Sequence, residues 1–162
     1  MNPHGITLAK IIPLSLARLE TDATVIDEVD GELFPFFEEE ARAELKSIEK
    51  LLLEWDATAA PLKELRRQFH TLKGAANSIG HIRIGALAGG MKDVLEQFDP
   101  EHAVALRHDL IKTIVQVAET IRALLQEVRA PQFNPVKKEQ IVRAAQAITR
   151  LWELETDLQK AA

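Results

Sequence analysis

Cysteine is absent from the 162 residues, and so is tyrosine. Without cysteine there is no disulfide framework, no thiolate metal site and no thiol nucleophile. Such a chain suits a reducing compartment, and a cytoplasmic location is expected. Aromatic residues make up only 5% of the chain, and no stretch alternates apolar and polar residues as a half-buried strand would. There is no glycine-rich nucleotide loop, so the chain is not expected to bind or hydrolyse ATP itself. No apolar run reaches the roughly 20 residues that a bilayer crossing needs. The start, MNPHGITLAKIIPLSLARL, has no basic segment ahead of its apolar part and is interrupted by Lys10 and Pro13. A secretory leader is therefore not expected. Positive charge is short as well. Twenty Lys and Arg face 25 Asp and Glu, a net charge of −5, the reverse of a general nucleic-acid binder. His4, His81, His102 and His108 form no metal-ligating pair one helical turn apart. They read as surface residues, and neither metal nor cofactor is expected.

What the chain does contain is helical periodicity. Residues 6–20 have apolar spacing (Ile6, Leu8, Ile11, Ile12, Leu16, Leu19) that suits a short helix with Pro13 near its start. The acidic stretch 21–31 ends in Asp-Gly and reads as a linker, with Val25, Ile26 and Val29 available for local packing. From a cap at Asp30, a long helix is expected to about Trp55, with Phe34, Ala41, Ile48 and Trp55 recurring every seven residues. After a break at 56–60, Pro61 fits the first turn of a second helix that runs to about Ile79. Gly80 suits a left-handed C-terminal cap.

A third helix is expected over roughly 82–98, with Ile84, Leu87, Met91, Leu95 and Phe98 inward. Its Gly85, Gly89 and Gly90 each weaken it by up to about 1 kcal/mol relative to alanine, which implies that something packs close. Asp99-Pro100-Glu101 is a cap, a first-turn proline and an acid in order, opening a fourth helix to about Arg129 whose broad apolar face makes it the most buried. Asn134-Pro135 is read as the start of a fifth helix to about Leu158. Trp55, Trp152 and Met91 are expected in the core. The expected fold is all-α: an antiparallel up-down four-helix bundle over 31–130, an N-terminal short helix and linker over 1–30, and a C-terminal helix over 131–162 packing on or extending the bundle.

The second of these helices carries two stripes. Leu62, Leu65, Phe69, Leu72, Ala76 and Ile79 form one apolar face. Arg66, His70, Lys73, Gly74 and Asn77 lie one residue on, about 100° round the axis, at the wet edge of that face. An accessible neutral imidazole is a nucleophile able to carry a phosphoryl group on a ring nitrogen. Lys73, one turn from His70, can balance the incoming charge. Gly74 has no side chain and clears space beside the ring. Lys63, Arg66 and Arg67 make this turn locally basic in an acidic chain, which would attract an acidic phosphoryl-accepting pocket.

The run His70-Thr71-Leu72-Lys73-Gly74-Ala75-Ala76, with Gly80 ten residues after the histidine, resembles the signature of histidine phosphotransfer (HPt) domains. It is most similar to those of chemotaxis- and twitching-motility-type histidine kinases. Leu33 to Leu53 resembles that group's first helix, and the likeness covers roughly 33–128. The resemblance implies a four-helix bundle with His70 as phosphoacceptor and Lys73 as its charge partner. Gly74 would be the close-approach position and Gly80 would make the turn. Apart from the resemblance, the local charge of Arg66 and Arg67 and the place of Asn77 on the stripe make these three the expected border of the partner site. The implied partners are a response-regulator receiver domain, whose aspartate exchanges the phosphate, and an upstream histidine kinase. In the chemotaxis-type domains a glutamate of the third helix commonly bonds the histidine. Lys92 stands in that place, followed by Asp93, with Gly89 a turn earlier. Either Asp93 takes the role or His70 has no orienting carboxylate. The second case also suits a degenerate bundle that only docks a partner.

Overall fold

A computed structural model describes residues 14–21 and 25–161. Seven helices lie among the described residues: α1 Leu14–Leu19, α2 Phe34–Glu54, α3 Leu62–Ser78, α4 Ile82–Gln97, α5 Pro100–Ala105, α6 Arg107–Arg129 and α7 Lys138–Ala161. Of the expected N-terminal helix, Ile6, Leu8, Ile11, Ile12 and Pro13 lie outside the described residues, as does His4.

Asp30 opens α2 as its position suggests. Its carboxylate accepts the N–H groups of Glu32 and Leu33 at 3.0 and 3.2 Å, and its carbonyl accepts that of Phe34. Pro35 in the first turn needs no intrahelical partner. Phe34, Phe37, Ala41, Leu45, Ile48 and Leu52 then face inward on the seven-residue repeat. Cross-links between α2 and α6 run in opposite order along the two helices. Arg107 donates to the Trp55 carbonyl, Arg122 bonds Glu49, and Arg129 bonds Glu38.

The segment read as a linker is pinned to the α3–α4 turn over its described part. Glu28 and Asp30 donate their backbone N–H groups to the carbonyls of Gly80 and Ile79 at 3.1 and 2.9 Å. Gly80 has φ +84°, and a Cβ there would also overlap the Glu28 carbonyl. Only glycine meets both demands. Asp27 holds Arg83 twice, through its backbone N–H and its Nε. Arg83 reaches on to Glu127 of α6, whose other oxygen accepts the Val136 N–H. One guanidinium thus joins the entry segment, α4, α6 and the stretch leading to α7.

That last bond sets where the final helix begins. The fifth helix does not start at Asn134-Pro135. Val136 gives its N–H to Glu127, the chain stays non-helical there, and α7 begins at Lys138. The expected fourth helix is likewise not continuous. It breaks at Leu106 into α5 and α6, where the Leu106 N–H turns back to the carbonyls of His102 and Val104. Nor is it the most enclosed helix. That is α4, buried without interruption from Ile84 to Met91 because α1, α3, α6 and α7 all pack on it. Trp55, Trp152 and Met91 are in the core.

Of the histidines read as surface residues, His81 is buried, and His102 is partly exposed but held by a partner. His102 bonds Glu155 of α7 at 2.6 Å, and that bond raises its pKa. His81 is fully buried at the start of α4, where Nδ1 accepts the Ile84 N–H and so places the ring proton on Nε2. Burial pushes its pKa down, despite Asp27 at 3.6 Å. The Asp27 carboxylate is already occupied by Arg83, so the ring stays neutral.

Two outcomes test this packing. Phe69 is fully buried, so Phe69→Ala should cost about 3–5 kcal/mol in denaturant unfolding; a loss under about 1 kcal/mol would contradict its place. The lowered pKa of His81 means that its contribution is present above the unfolded value of about 6.5 and is lost on acidification below it. His81→Asn, which keeps a capping oxygen, should therefore lose less stability than the native chain between pH 7.5 and pH 5.

Candidate functional site

The site stripe is fixed by how α3 is buried. Leu62, Leu65, Phe69, Leu72 and Ala76 are in the core. Gln68, unremarkable in sequence, is buried as well and donates to Ser47 of α2 at 2.5 Å. These contacts set the rotation of the helix. They leave His70, Gly74 and Asn77 exposed, with Arg66 and Lys73 half-buried along the edge.

That edge lies along α4, the most extensive helix pairing among the described residues. The register is carried by glycine. A Cβ on Gly85 would overlap the Asn77 amide, and one on Gly89 would sit 3.1 Å from Cδ of Lys73. Asn77 and Lys73 therefore lie across the bare stretches of α4. Counting back along α3 and on along α4 at the same spacing sets His70 level with Lys92, and Arg66 level with Glu96. A groove of about 430 Å³ agrees with that count. It is lined by Lys63, Glu64, Arg66, Arg67, His70, Lys92 and Glu96.

Among the described residues, the His70 ring has no hydrogen-bond or ion-pair partner, so both its nitrogens face solvent or an incoming group. Lys63, Arg66 and Lys73 have no ion pair within the described chain either. Arg67 differs. It is held by Glu64 through bonds of 3.0 and 2.5 Å, which raise its pKa and lower that of Glu64. Of the two arrangements open for Asp93, the structure shows no carboxylate on His70. Asp93 instead faces the Lys92 ammonium at 3.3 Å, which also meets Glu96 at 3.3 Å.

Gly74 contrasts with the glycines of α4. A Cβ there would meet nothing within 4 Å, so the protein's own packing does not require it. The Ser78 hydroxyl bonds the Gly74 carbonyl at 2.8 Å, securing the helix on that side. The space beside the ring is open among the described residues.

The arrangement brings together a free imidazole, an unpaired lysine one turn on, an open position and a basic groove. Sequence reasoning did not identify Gly85 and Gly89 as the bed on which Asn77 and Lys73 rest, nor Glu96 as part of the groove. The signal was available: the glycines recur at the step of the site stripe, four residues apart.

The scaffold is all-helical among the described residues, and the family comparison says what kind of domain it is. The Hpt domain model matches residues 32–131, so the chain belongs to the Hpt domain family. Hpt domains carry histidine phosphotransfer in two-component signalling. They are phosphocarriers without kinase activity of their own and exchange phosphate with receiver domains and kinases. No helix among the described residues is long and apolar enough to cross a membrane. No curated protein and no solved structure matches the chain.

Because nothing among the described residues fills the space at Gly74, Gly74→Gln should stabilise α3 by roughly 0.5 kcal/mol through helix propensity. It should also hinder any partner that closes on His70. Thermal melts and phosphate-exchange rates measured side by side check both; normal exchange would remove the close-approach role.

Proposed function

We propose that His70 is the phosphoacceptor of this Hpt domain and exchanges a phosphoryl group with an aspartate of a response-regulator receiver domain. In one direction a ring nitrogen of His70 attacks the phosphorus of the receiver's aspartyl phosphate. A P–N bond forms, the P–O bond to the aspartate breaks, and the carboxylate leaves with the electron pair. The other ring nitrogen yields its proton to solvent, and the reverse sequence returns the phosphate. Lys73 balances the charge on the transferring group, and Arg66, Arg67 and Asn77 border the contact with the partner. Gly74 lets the partner approach. The metal and most of the catalytic apparatus belong to the receiver, and an upstream histidine kinase is the ultimate source of phosphate.

The observation that carries the reading is the unpartnered His70 ring, exposed on α3 beside an unpaired Lys73 and an open Gly74. The opposed order of the α2–α6 and α3–α4 contacts supports an antiparallel up-down bundle of α2, α3, α4 and α6, corresponding to residues 31–130. On this reading α1 and its linker (1–30) and α7 (131–162) are additions to that unit. The likeness of 33–53 and 70–80 to chemotaxis- and twitching-type domains supports that subfamily, and the lack of cysteine suits a cytoplasmic setting.

A second reading rests on Lys92 and the missing carboxylate at His70, which fit a bundle that docks a partner without carrying phosphate. One experiment separates them. Incubation with several phosphorylated receivers should leave acid-labile label on the native chain and none on His70→Gln. Lys73→Ala should still fold and accept label, about tenfold or more slowly. No label from any receiver would leave only docking.

A further inference from the structure

We infer that Lys92 is a second phosphate-holding cation, a positioning residue on α4 that stabilises the phosphorylated state of His70. The inference rests on the reading of His70 as phosphoacceptor and adds a residue from the opposite helix to it.

Three observations point to it. The register set by Asn77 over Gly85 and Lys73 over Gly89 brings Lys92 level with His70, and both line the same groove. The Lys92 side chain is largely covered, at 17% exposure, and is anchored by Asp93 and Glu96 at 3.3 Å each. Its position is therefore set before any phosphate arrives, so little freedom is lost on binding. An ammonium has three N–H donors. Two face these carboxylates, and the third remains for a phosphoryl oxygen. Burial pulls the Lys92 pKa down, but the bonds to Glu96 and Asp93 outweigh it and raise the pKa, keeping the group charged.

The arithmetic of charge favours the phosphoryl group. A phosphorylated histidine brings close to two negative charges and three strong acceptors on one group, more than Asp93 or Glu96 offers singly, and it needs only the donor that these two carboxylates leave over. With Lys73 on one side and Lys92 across the groove, the group would be held between two helices. A carboxylate at position 92 would repel the same group while favouring the protonated or bonded imidazole. Lysine there tilts the exchange toward phosphate resting on histidine.

The test needs no identified partner. The full chain is phosphorylated with phosphoramidate, a small-molecule donor, and the phosphohistidine is followed by ³¹P NMR across pH. In Lys92→Gln the second ionisation of the phosphoryl group should move up by about half a unit or more relative to the native chain. Lys92→Arg should restore it, and Lys73→Ala should shift it independently. Helical content of the Lys92→Gln variant, read by circular dichroism, should be native. An unshifted ionisation in a folded, phosphorylated Lys92→Gln overturns the role of Lys92 and leaves His70 as phosphoacceptor. Failure of His70 to take phosphate at all, with His70→Gln giving the same spectrum, overturns both.

Discussion

The approach of α3 to α4 is the contact on which the site depends, and it is made possible by missing side chains. Helices of ordinary composition pack 8–10 Å apart, with residues interlocking between them. Here Gly85 and Gly89 leave part of the α4 surface bare, and Asn77 and Lys73 lie across it. A Cβ at Gly85 would displace the Asn77 amide, and one at Gly89 would press on the Lys73 stem at 3.1 Å. The helix propensity lost at these glycines, up to about 1 kcal/mol each, is the cost of ordering the site.

The rest of the molecule serves to enclose α4. A helix with glycines and alanines on several faces has little amphipathic character and would be marginal on its own. It is covered by α1, α3, α6 and α7, and Leu16 of α1 rests over Gly90, where a Cβ would come within 2.7 Å. The Arg83 cluster ties the entry segment and the stretch before α7 to the same helix. The helices outside the matched 32–131 region therefore cover the sides of α4 that α3 does not, and leave the histidine stripe open.

Electrostatics divides the cations around His70 into two kinds. Arg67 and Lys92 are committed to carboxylates of the chain, whereas Lys63, Arg66 and Lys73 have no ion pair among the described residues. Paired cations are held in place but partly neutralised. The unpaired ones add positive field in and beside the groove, which Lys63 and Arg66 line, within about a Debye length of 8–10 Å. A site that must attract an acidic partner and then hold a phosphate benefits from both.

The helices and the histidine stripe were legible in the sequence because they depend on periodicity, which is a local property. The apolar face of α3, the cap at Asp30, the glycine at 80 and the exposure of His70 all follow from spacing within a single helix. The breaks at Leu106 and before Lys138 were not legible, since they reflect where backbone groups find partners: Leu106 turns back on α5, and Val136 bonds Glu127 of α6. The burial of His81 and the attachment of His102 to Glu155 were hidden for the same reason, because each depends on a residue distant in sequence. Sequence alone determined that a histidine and a lysine would share a wet helical edge. Which residues of α4 lie opposite them, lysine rather than carboxylate at His70 and bare backbone under Lys73, was decided only by the register of two packed helices, and register is set by the shape of the whole core.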